Sequence, residues 1–153
     1  MSDMSSDVVT VSLQLRWGDM DVVGHINNTA IARLFEESRV RASQRLLRRR
    51  DDTAGADALV GGGMVIARQE IEFLAQVPYG TDDVTCEVWL SRVGRSSFDY
   101  SARLIGTDGT HLAQAETTLV RIDREGRSEA LDADVAEAMR GRVQAPLPLR
   151  SRS

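Results

Sequence analysis

The chain is predicted to fold as an α+β domain in which one long helix packs on an antiparallel sheet. Three observations carry that reading. Apolar and polar residues alternate along Val8 to Arg16 and again in the second half of the chain. One stripe of apolar and small residues at helical spacing follows the first alternating segment. Tight turns then join the remaining strands in succession, which implies antiparallel pairing. A striped helix and a sheet with one apolar face bury each other.

In Val8 to Arg16, residues Val9, Val11, Leu13 and Leu15 point one way and Thr10, Ser12, Gln14 and Arg16 the other, the mark of a half-buried strand. Trp17 to Asn28 breaks the alternation with Gly18, Gly24, Asp19, Asp21 and two Asn, and reads as a shaped loop. A helix starts at about Asn28, because Asn28 or Asn27 is a good N-cap. Its buried stripe is Ile31, Leu34, Phe35, Ser38, Ala42 and Leu46; Arg33, Glu36, Glu37 and Arg41 form the other face, with Glu37 and Arg41 paired four apart. Arg48, Arg49 and Arg50 suit the negative end of its dipole. Asp51 to Gly63 reads as a loop. Strands follow at Met64 to Ala75, Val84 to Val93, Ser97 to Ile105 and His111 to Ile122. Turns lie at Pro78-Tyr79-Gly80, at Gly94-Arg95-Ser96 and at Asp108-Gly109, the last a favoured hairpin pair. Leu131 to Met139 reads as a short helix and Pro146 to Ser153 as a polar tail.

Length and composition bound the function. The 153 residues suffice for one domain, expected over 1–153 with its core at about 8–124 and a C-terminal tail at about 141–153. A net charge of −4 argues against a nucleic-acid binder. No apolar run approaches the roughly 20 residues of a membrane span. The N-terminus lacks a signal pattern and Cys86 is the one cysteine, so a cytoplasmic location is expected. Without such a signal, the glycosylation match at Asn27-Asn28-Thr29 is read as chance.

Several machineries are missing. There is no Gly-x-Ser-x-Gly elbow, and two His with one Cys give little for a metal, so neither metal nor cofactor is expected. Cys86 alternates in register with Val84 and Val88 and reads as core rather than nucleophile; His111 reads as surface. Gly61-Gly62-Gly63 precedes a strand and has no following Lys, unlike a phosphate loop. The unusual segment is Trp17 to Asn28, which gathers two carboxylates, a His and two amides just before a helix start. Its plain reading is a loop whose Asp and Asn residues form turns and caps. Its chemical reading is that helix-start N–H groups bind an oxyanion while a nearby carboxylate attacks a thioester or activates water.

Arg16-Trp17-Gly18-Asp19-Met20-Asp21, Gly24-His25-Ile26-Asn27-Asn28 and Phe35-Glu36-Glu37-Ser38-Arg39 together resemble the signature of the 4-hydroxybenzoyl-CoA thioesterase-like family of the hot-dog superfamily. Gln69-Glu70-Ile71-Glu72-Phe73 and Val93-Gly94-Arg95-Ser96-Ser97-Phe98 resemble its second and third strand segments. The resemblance spans about Val8 to Arg124. It implies a single hot-dog fold, a five-stranded antiparallel sheet wrapped around one long helix, and dimers or tetramers with active sites at the dimer interface. It implies Asp21 as nucleophile or general base, the backbone N–H of Asn28 polarising the thioester carbonyl, and His25 and Asn27 shaping the pocket. Arg95, Ser96 and Ser97 are implied to meet the CoA arm, and Asp19 to make structural hydrogen bonds. Ile31 stands where the family commonly has an aromatic residue, so the pocket is more aliphatic there.

The implied activity is hydrolysis of acyl-CoA to free acid and CoA by a homodimer or homotetramer, with no nucleic-acid or membrane partner. An acyl-carrier-protein thioesterase on the same site is the second reading, with Arg68, Arg92 and Arg95 able to serve either substrate. A non-catalytic acyl-CoA-binding module is the third; the carboxylate of Asp21 counts against it. The Asp-x-Asn-Pro-x-His pattern of a hot-dog hydratase is missing.

Overall fold

Each alternating segment forms a strand, and the striped segment forms the helix that follows the first. The computed structural model describes residues 7–48 and 63–150. Its order is β1 (Val8–Leu13), a 3-10 turn (Trp17–Asp19), α1 (Asn28–Leu46), β2 (Met64–Phe73), β3 (Val84–Val93), β4 (Ser97–Ile105), β5 (His111–Arg121) and α2 (Ala133–Arg140). Most of the expected loop at 51–63, with Arg49 and Arg50 of the expected basic helix end, lies outside the described residues. The strands form one five-stranded antiparallel sheet in the order β1-β3-β4-β5-β2.

The inner face of the sheet carries Val11 and Leu13 of β1, Val84, Cys86, Val88 and Leu90 of β3, Phe98, Tyr100 and Leu104 of β4, and Ala113, Ala115 and Leu119 of β5, all buried. Against it α1 sets Ala30, Ile31, Phe35, Ser38, Ala42 and Leu46. The stripe holds, but it is not all apolar: Ser38, Arg39 and Ser43 are also buried. Ser43 Oγ and the Tyr100 hydroxyl lie 2.6 Å apart, and Ser38 Oγ–H donates back to the Leu34 carbonyl at 2.7 Å, so these hydroxyls are satisfied. On the solvent face, Arg41 Nε–H donates to Glu37 at 2.8 Å, the pairing expected of residues four apart.

Two strand ends and one turn depart from the sequence reading, besides β5, which ends at Arg121 rather than Ile122, and α2, which spans Ala133–Arg140 rather than Leu131 to Met139. β1 ends at Leu13, not Arg16, because Leu13 pairs with Val84, the first residue of β3, and the ladder has no partner beyond it, although Leu15 stays buried. β2 ends at Phe73, not Ala75: the N–H groups of Leu74 and Ala75 both donate to the Leu112 carbonyl, at 2.9 and 3.1 Å, so one-to-one pairing stops. Asp108-Gly109 is not a two-residue hairpin. Such a turn needs positive φ at both central residues in its Asp-Gly form. Among the described residues only glycines have positive φ, with Gly109 at 83°, and the turn spans Gly106 to Gly109 with the Gly109 N–H donating to Gly106 at 3.0 Å.

The C-terminal segment is a strap rather than a free polar tail. After α2, whose N-cap Asp132 accepts from Asp134 and Val135, residues 141–150 cross the outer face of the sheet strand by strand. Gln144 N–H donates to Leu90 O of β3 at 2.8 Å, and Trp89 Nε1–H donates to Ala145 O at 2.9 Å. Leu147 N–H reaches Ser101 Oγ of β4 at 3.3 Å, Gln114 of β5 donates to Pro148 O at 3.4 Å, and Arg150 N–H meets the Glu72 carboxylate of β2. With the strap over Ser101 and the Arg92 and Thr118 side chains on Asp99, β4 is buried on both faces from Phe98 to Ala102. Among the described residues, no helix is long and apolar enough to cross a membrane.

Arg142, at the start of the strap, donates to Leu46 O at 2.9 Å and to Arg48 O at 2.6 Å, so a distant arginine caps the carbonyl end of α1. Arg142→Ala is expected to lower the unfolding free energy by about 1–2 kcal/mol, as for other charge-assisted hydrogen bonds and helix-end charges. Equilibrium urea denaturation checks this; an unchanged midpoint would show that the cap contributes nothing.

Candidate active site

The segment between β1 and α1 is a miniature hairpin. Asn27 N–H donates to Asp19 O at 2.9 Å, Met20 and Ile26 form an antiparallel bridge, and Asp21 N–H donates to His25 O at 2.9 Å. Asp21-Val22-Val23-Gly24 closes the turn, with Gly24 N–H donating to Asp21 O at 3.0 Å and Gly24 at a φ of 84°. Only a glycine adopts that backbone without strain. Asp21 Oδ1 accepts from Val23 N–H at 2.9 Å and His25 N–H at 3.4 Å, and Oδ2 has no hydrogen-bond partner among the described residues. The hairpin is fixed to the segment after β2: Ile26 N–H donates to Val77 O at 2.9 Å, and His25 bridges Pro78. A cavity of about 380 Å³ adjoins that segment, lined by Leu15, Val77, Pro78, Tyr79, Thr107 and Asp108 among others.

The hairpin delivers the chain into α1. Asn27 is the N-cap, its Oδ1 accepting from Ala30 N–H at 2.8 Å, while Ile31 N–H closes the first helical turn on Asn27 O at 3.1 Å. The N–H groups of Asn28 and Thr29 make no hydrogen bond among the described residues, and both residues are exposed. Two donors at the positive end of a 19-residue helix are therefore left without an acceptor among the described residues. Trp17, Val22 and Val23 of the segment that precedes the helix are exposed apolar side chains, 71%, 105% and 68% accessible.

The plain reading of this loop holds as geometry: Asp21 makes a turn and Asn27 makes a cap. The turn is not unique either. Asp123 repeats it: its N–H donates to Arg127 O, Gly126 N–H donates to its carbonyl, and its Oδ1 accepts from Glu125 and Arg127. What Asp21 has and Asp123 lacks is the open helix start that follows in the chain.

The other site residues expected from the sequence fall into two groups. Asp21, His25, Asn27 and Asn28 are brought together by the hairpin. Arg95, Ser96 and Ser97 are not. They sit at the β3–β4 turn, whereas the Asp21 hairpin lies by the opposite ends of those strands, about 30 Å away along β3. Arg95 is exposed, with its carbonyl accepting from Leu131 N–H at 2.9 Å. Ser96 O accepts from Arg121 N–H at 2.8 Å, and Ser97 Oγ accepts from Arg92 at 2.9 Å. Arg92 is bidentate to Asp99, at 2.8 and 2.9 Å, and Arg68 pairs with Glu70 and with Glu116, so both are committed within the chain. Burial raises the Asp99 carboxyl, but Arg92 and Thr118 more than offset this and hold it below its ordinary value.

Sequence reasoning missed Arg39. It is 7% exposed on the inner side of α1, where burial pulls its pKa below the ordinary arginine value, and its sole hydrogen bond among the described residues is from Nη1–H to Thr117 Oγ1 at 3.4 Å. The available signal was its position in the stripe, one residue after Ser38 and four after Phe35. Among the described residues, no three His, Cys, Asp or Glu gather as a metal site.

The model of the thioesterase-like superfamily matches residues 15–143. No curated protein matches the chain. Solved structures do. A predicted thioesterase from Bacillus stearothermophilus is 28% identical with a TM-score of 0.75, covering 91% of this chain and 98% of that one. A thioesterase from Thermus thermophilus, solved with coenzyme A and zinc, is 28% identical with a TM-score of 0.74, covering 94% and 99%. A DHNA-CoA thioesterase from Staphylococcus aureus shares the fold at 16% identity and a TM-score of 0.74, covering 88% and 89%.

Cys86 is fully buried, and burial pushes its thiol up to about 11. A thiol that is neutral and enclosed neither attacks nor is attacked. Native protein at pH 8 is expected to take up no aromatic disulfide reagent within an hour and one equivalent on denaturation. Rapid native labelling, read by absorbance, would show that Cys86 is accessible.

Proposed function

The chain belongs to the thioesterase-like superfamily, and from that premise we propose that it hydrolyses an acyl-CoA at the Asp21 hairpin. Its reaction class is thioester hydrolysis. The observation that carries the finer reading is the pairing of a carboxylate oxygen, Asp21 Oδ2, with the two uncommitted N–H groups at the start of α1. The thioester carbonyl binds at Asn28 and Thr29, where the oxyanion that develops is stabilised by donors already in place. Asp21 then acts in one of two ways. As a base it takes a proton from water, whose oxygen adds to the carbonyl carbon. As a nucleophile it adds directly, and water later hydrolyses the anhydride. Either way the C–S bond breaks and CoA leaves as the thiolate, which takes up a proton. His25 and Asn27 shape the pocket.

The substrate is read as CoA rather than a carrier protein. A carrier protein needs a broad basic surface, and Arg68 and Arg92 are already neutralised by carboxylates. Arg95, without such a partner among the described residues, suits a single phosphate. The CoA-bound protein from Thermus thermophilus supports this choice.

The active unit is a homodimer joined along β2. β2 is an edge strand, and Val65, Ile66, Phe73 and Leu74 on or next to it are exposed. An apolar edge invites a second strand. Two-fold pairing is antiparallel, so the Phe73 end of one copy meets the Met64 end of the other. That brings the β3–β4 turn of one copy toward the Asp21 hairpin of its partner, which accounts for Arg95 being remote from Asp21 within one chain.

Asp21→Asn keeps an oxygen acceptor for Val23 and His25, so the turn survives while the base and nucleophile are lost. The variant is expected to melt with the wild type and to lose about 10²–10⁴-fold in kcat, measured by free-thiol release from acyl-CoA. Near-normal turnover by a folded Asp21→Asn protein would overturn the assignment. Shared sites predict complementation. Asp21→Asn and Arg95→Ala chains, unfolded and refolded together, should recover about a quarter of wild-type activity at low substrate, because half the dimers are mixed and each holds one intact site. No recovery would place the whole site in one chain.

A further inference from the structure

Arg39 is a buried cation in search of an anion. A guanidinium has five N–H donors and no acceptor. Here it is 7% exposed and makes one hydrogen bond among the described residues, to Thr117 Oγ1 at 3.4 Å. Glu36, one turn back, raises its pKa through charge alone; it is exposed and forms no ion pair with it. Burying a charge without a partner is costly, so such an arginine persists where something else supplies the negative end.

The surroundings say from which direction that end arrives. Thr117 of β5 pairs in register with Gln69 of β2, so Gln69 shares the face on which Arg39 lies. Alternation puts Ile71 and Phe73 on the same face. This strip is bare of the chain's own helix: α1 packs on β1, β3 and β4. Gln69 and Phe73 are exposed, and Ile71 is half-buried. At its Phe73 end the strip leads into the segment Val77–Pro78, which holds the Asp21 hairpin. Two independent rulers give its length. Arg39 stands eleven residues after Asn28 on α1, about 16 Å along the axis, and its side chain points back toward the helix start. Phe73 to Gln69 is about 13 Å along β2. Phe73 and Ile71 thus mark a lane of that length from the side of the Asp21 hairpin toward Arg39, Thr117 and Gln69.

We propose that this lane takes the acyl chain and that Arg39 receives a carboxylate at its far end, making the substrate the mono-CoA thioester of a medium-length dicarboxylic acid. Extended chains advance about 1.2 Å per bond, so the lane fits an acyl group of roughly eight to twelve carbons. Arg39 is then a specificity residue, remote from the bonds that break. The inference rests on the acyl-CoA reading given above.

The test compares octanoyl-, decanoyl- and dodecanoyl-CoA with the CoA thioesters of the eight-, ten- and twelve-carbon dicarboxylic acids, using the wild-type protein and Arg39→Met. The wild type is expected to favour the carboxylated partner of at least one pair by about tenfold or more in kcat/KM, because a largely buried guanidinium bonded only to Thr117 among the described residues gains a charged acceptor from that ligand and none from the plain chain. Arg39→Met is expected to reverse that preference and to melt no lower than the wild type, since Met fills the space without a buried charge. A wild type that prefers the plain chains throughout overturns the proposal without any variant. So does an Arg39→Met protein that keeps the wild-type preference. A lower melting temperature together with a weakened dimer would show that a carboxylate of the second copy, not of the substrate, meets Arg39. Hydrolysis of plain acyl-CoAs that depends on Asp21 leaves the acyl-CoA reading standing in each of these cases; no hydrolysis of any CoA thioester removes both.

Discussion

One helix cannot cover a five-stranded sheet. With side chains α1 is about 10 Å across, while five strands spaced about 4.8 Å apart make a sheet about 24 Å wide. The chain puts α1 over β1, β3 and β4, where Val11, Cys86, Val88 and Tyr100 share one buried core with Phe35, Ala42 and Leu46. That choice leaves Gln69 and Phe73 on the inner side of β2 exposed and leaves β2 without a strand beyond it. It also places the buried side of α1 beside the uncovered strip, which is where Arg39 reaches Thr117. The open strip, the unpaired edge and the position of Arg39 beside them follow from a single shortage of cover.

The outer face meets the same shortage with polar chemistry. Arg92, Asp99 and Thr118 form a hydrogen-bonded row across β3, β4 and β5, and Arg68 ties β2 to β5 through Glu116. Trp89, the one large apolar residue among these, is enclosed by Arg103 over its ring at 5.7 Å and by the strap at Ala145. The strap then does a second task, because the same segment brings Arg142 to the end of α1. Helix and sheet are thus tied from both sides by residues far from either in sequence.

The parts legible in the sequence are those set by local rules. The starts and ends of β3 and β4 follow from two-residue alternation bounded by turn residues, and α1 follows from its stripe and its Asn27 cap. The parts not legible depend on what packs from a distance. The strap has no periodicity, since it is held by single hydrogen bonds to successive strands, and its composition alone reads as a solvated tail. Arg39 reads as surface by residue type, and it is buried where the sheet, with Thr117 of β5, meets its side of α1. Arg92 and Arg68 read as available cations until the register sets Asp99 and Glu116 against them. The Asp108-Gly109 pair shows the limit even for local rules: the dipeptide promises a two-residue turn, yet the chain uses Asp108 in a wider one, where its carboxylate accepts from Thr110 N–H.

The Asp21 and Asp123 turns make the same point for the site. Both are Asp-x-x-Gly hairpins with the carboxylate held through Oδ1 by N–H groups two and four residues on. Their geometry in isolation is that of a stable turn, and nothing in it is specific to catalysis. The difference lies in what comes next. After Asp123 the chain returns through Ser128, which bridges Ile122, and goes on toward α2. After Asp21 it enters a 19-residue helix whose first donors are left without acceptors by the cap at Asn27. A turn holds one carboxylate oxygen in place and leaves the other open; a helix start supplies fixed positive ends. The proposed chemistry at a thioester needs both at once, and the Asn27–Asp19 hydrogen bond is what ties the Asp21 turn to the start of the helix.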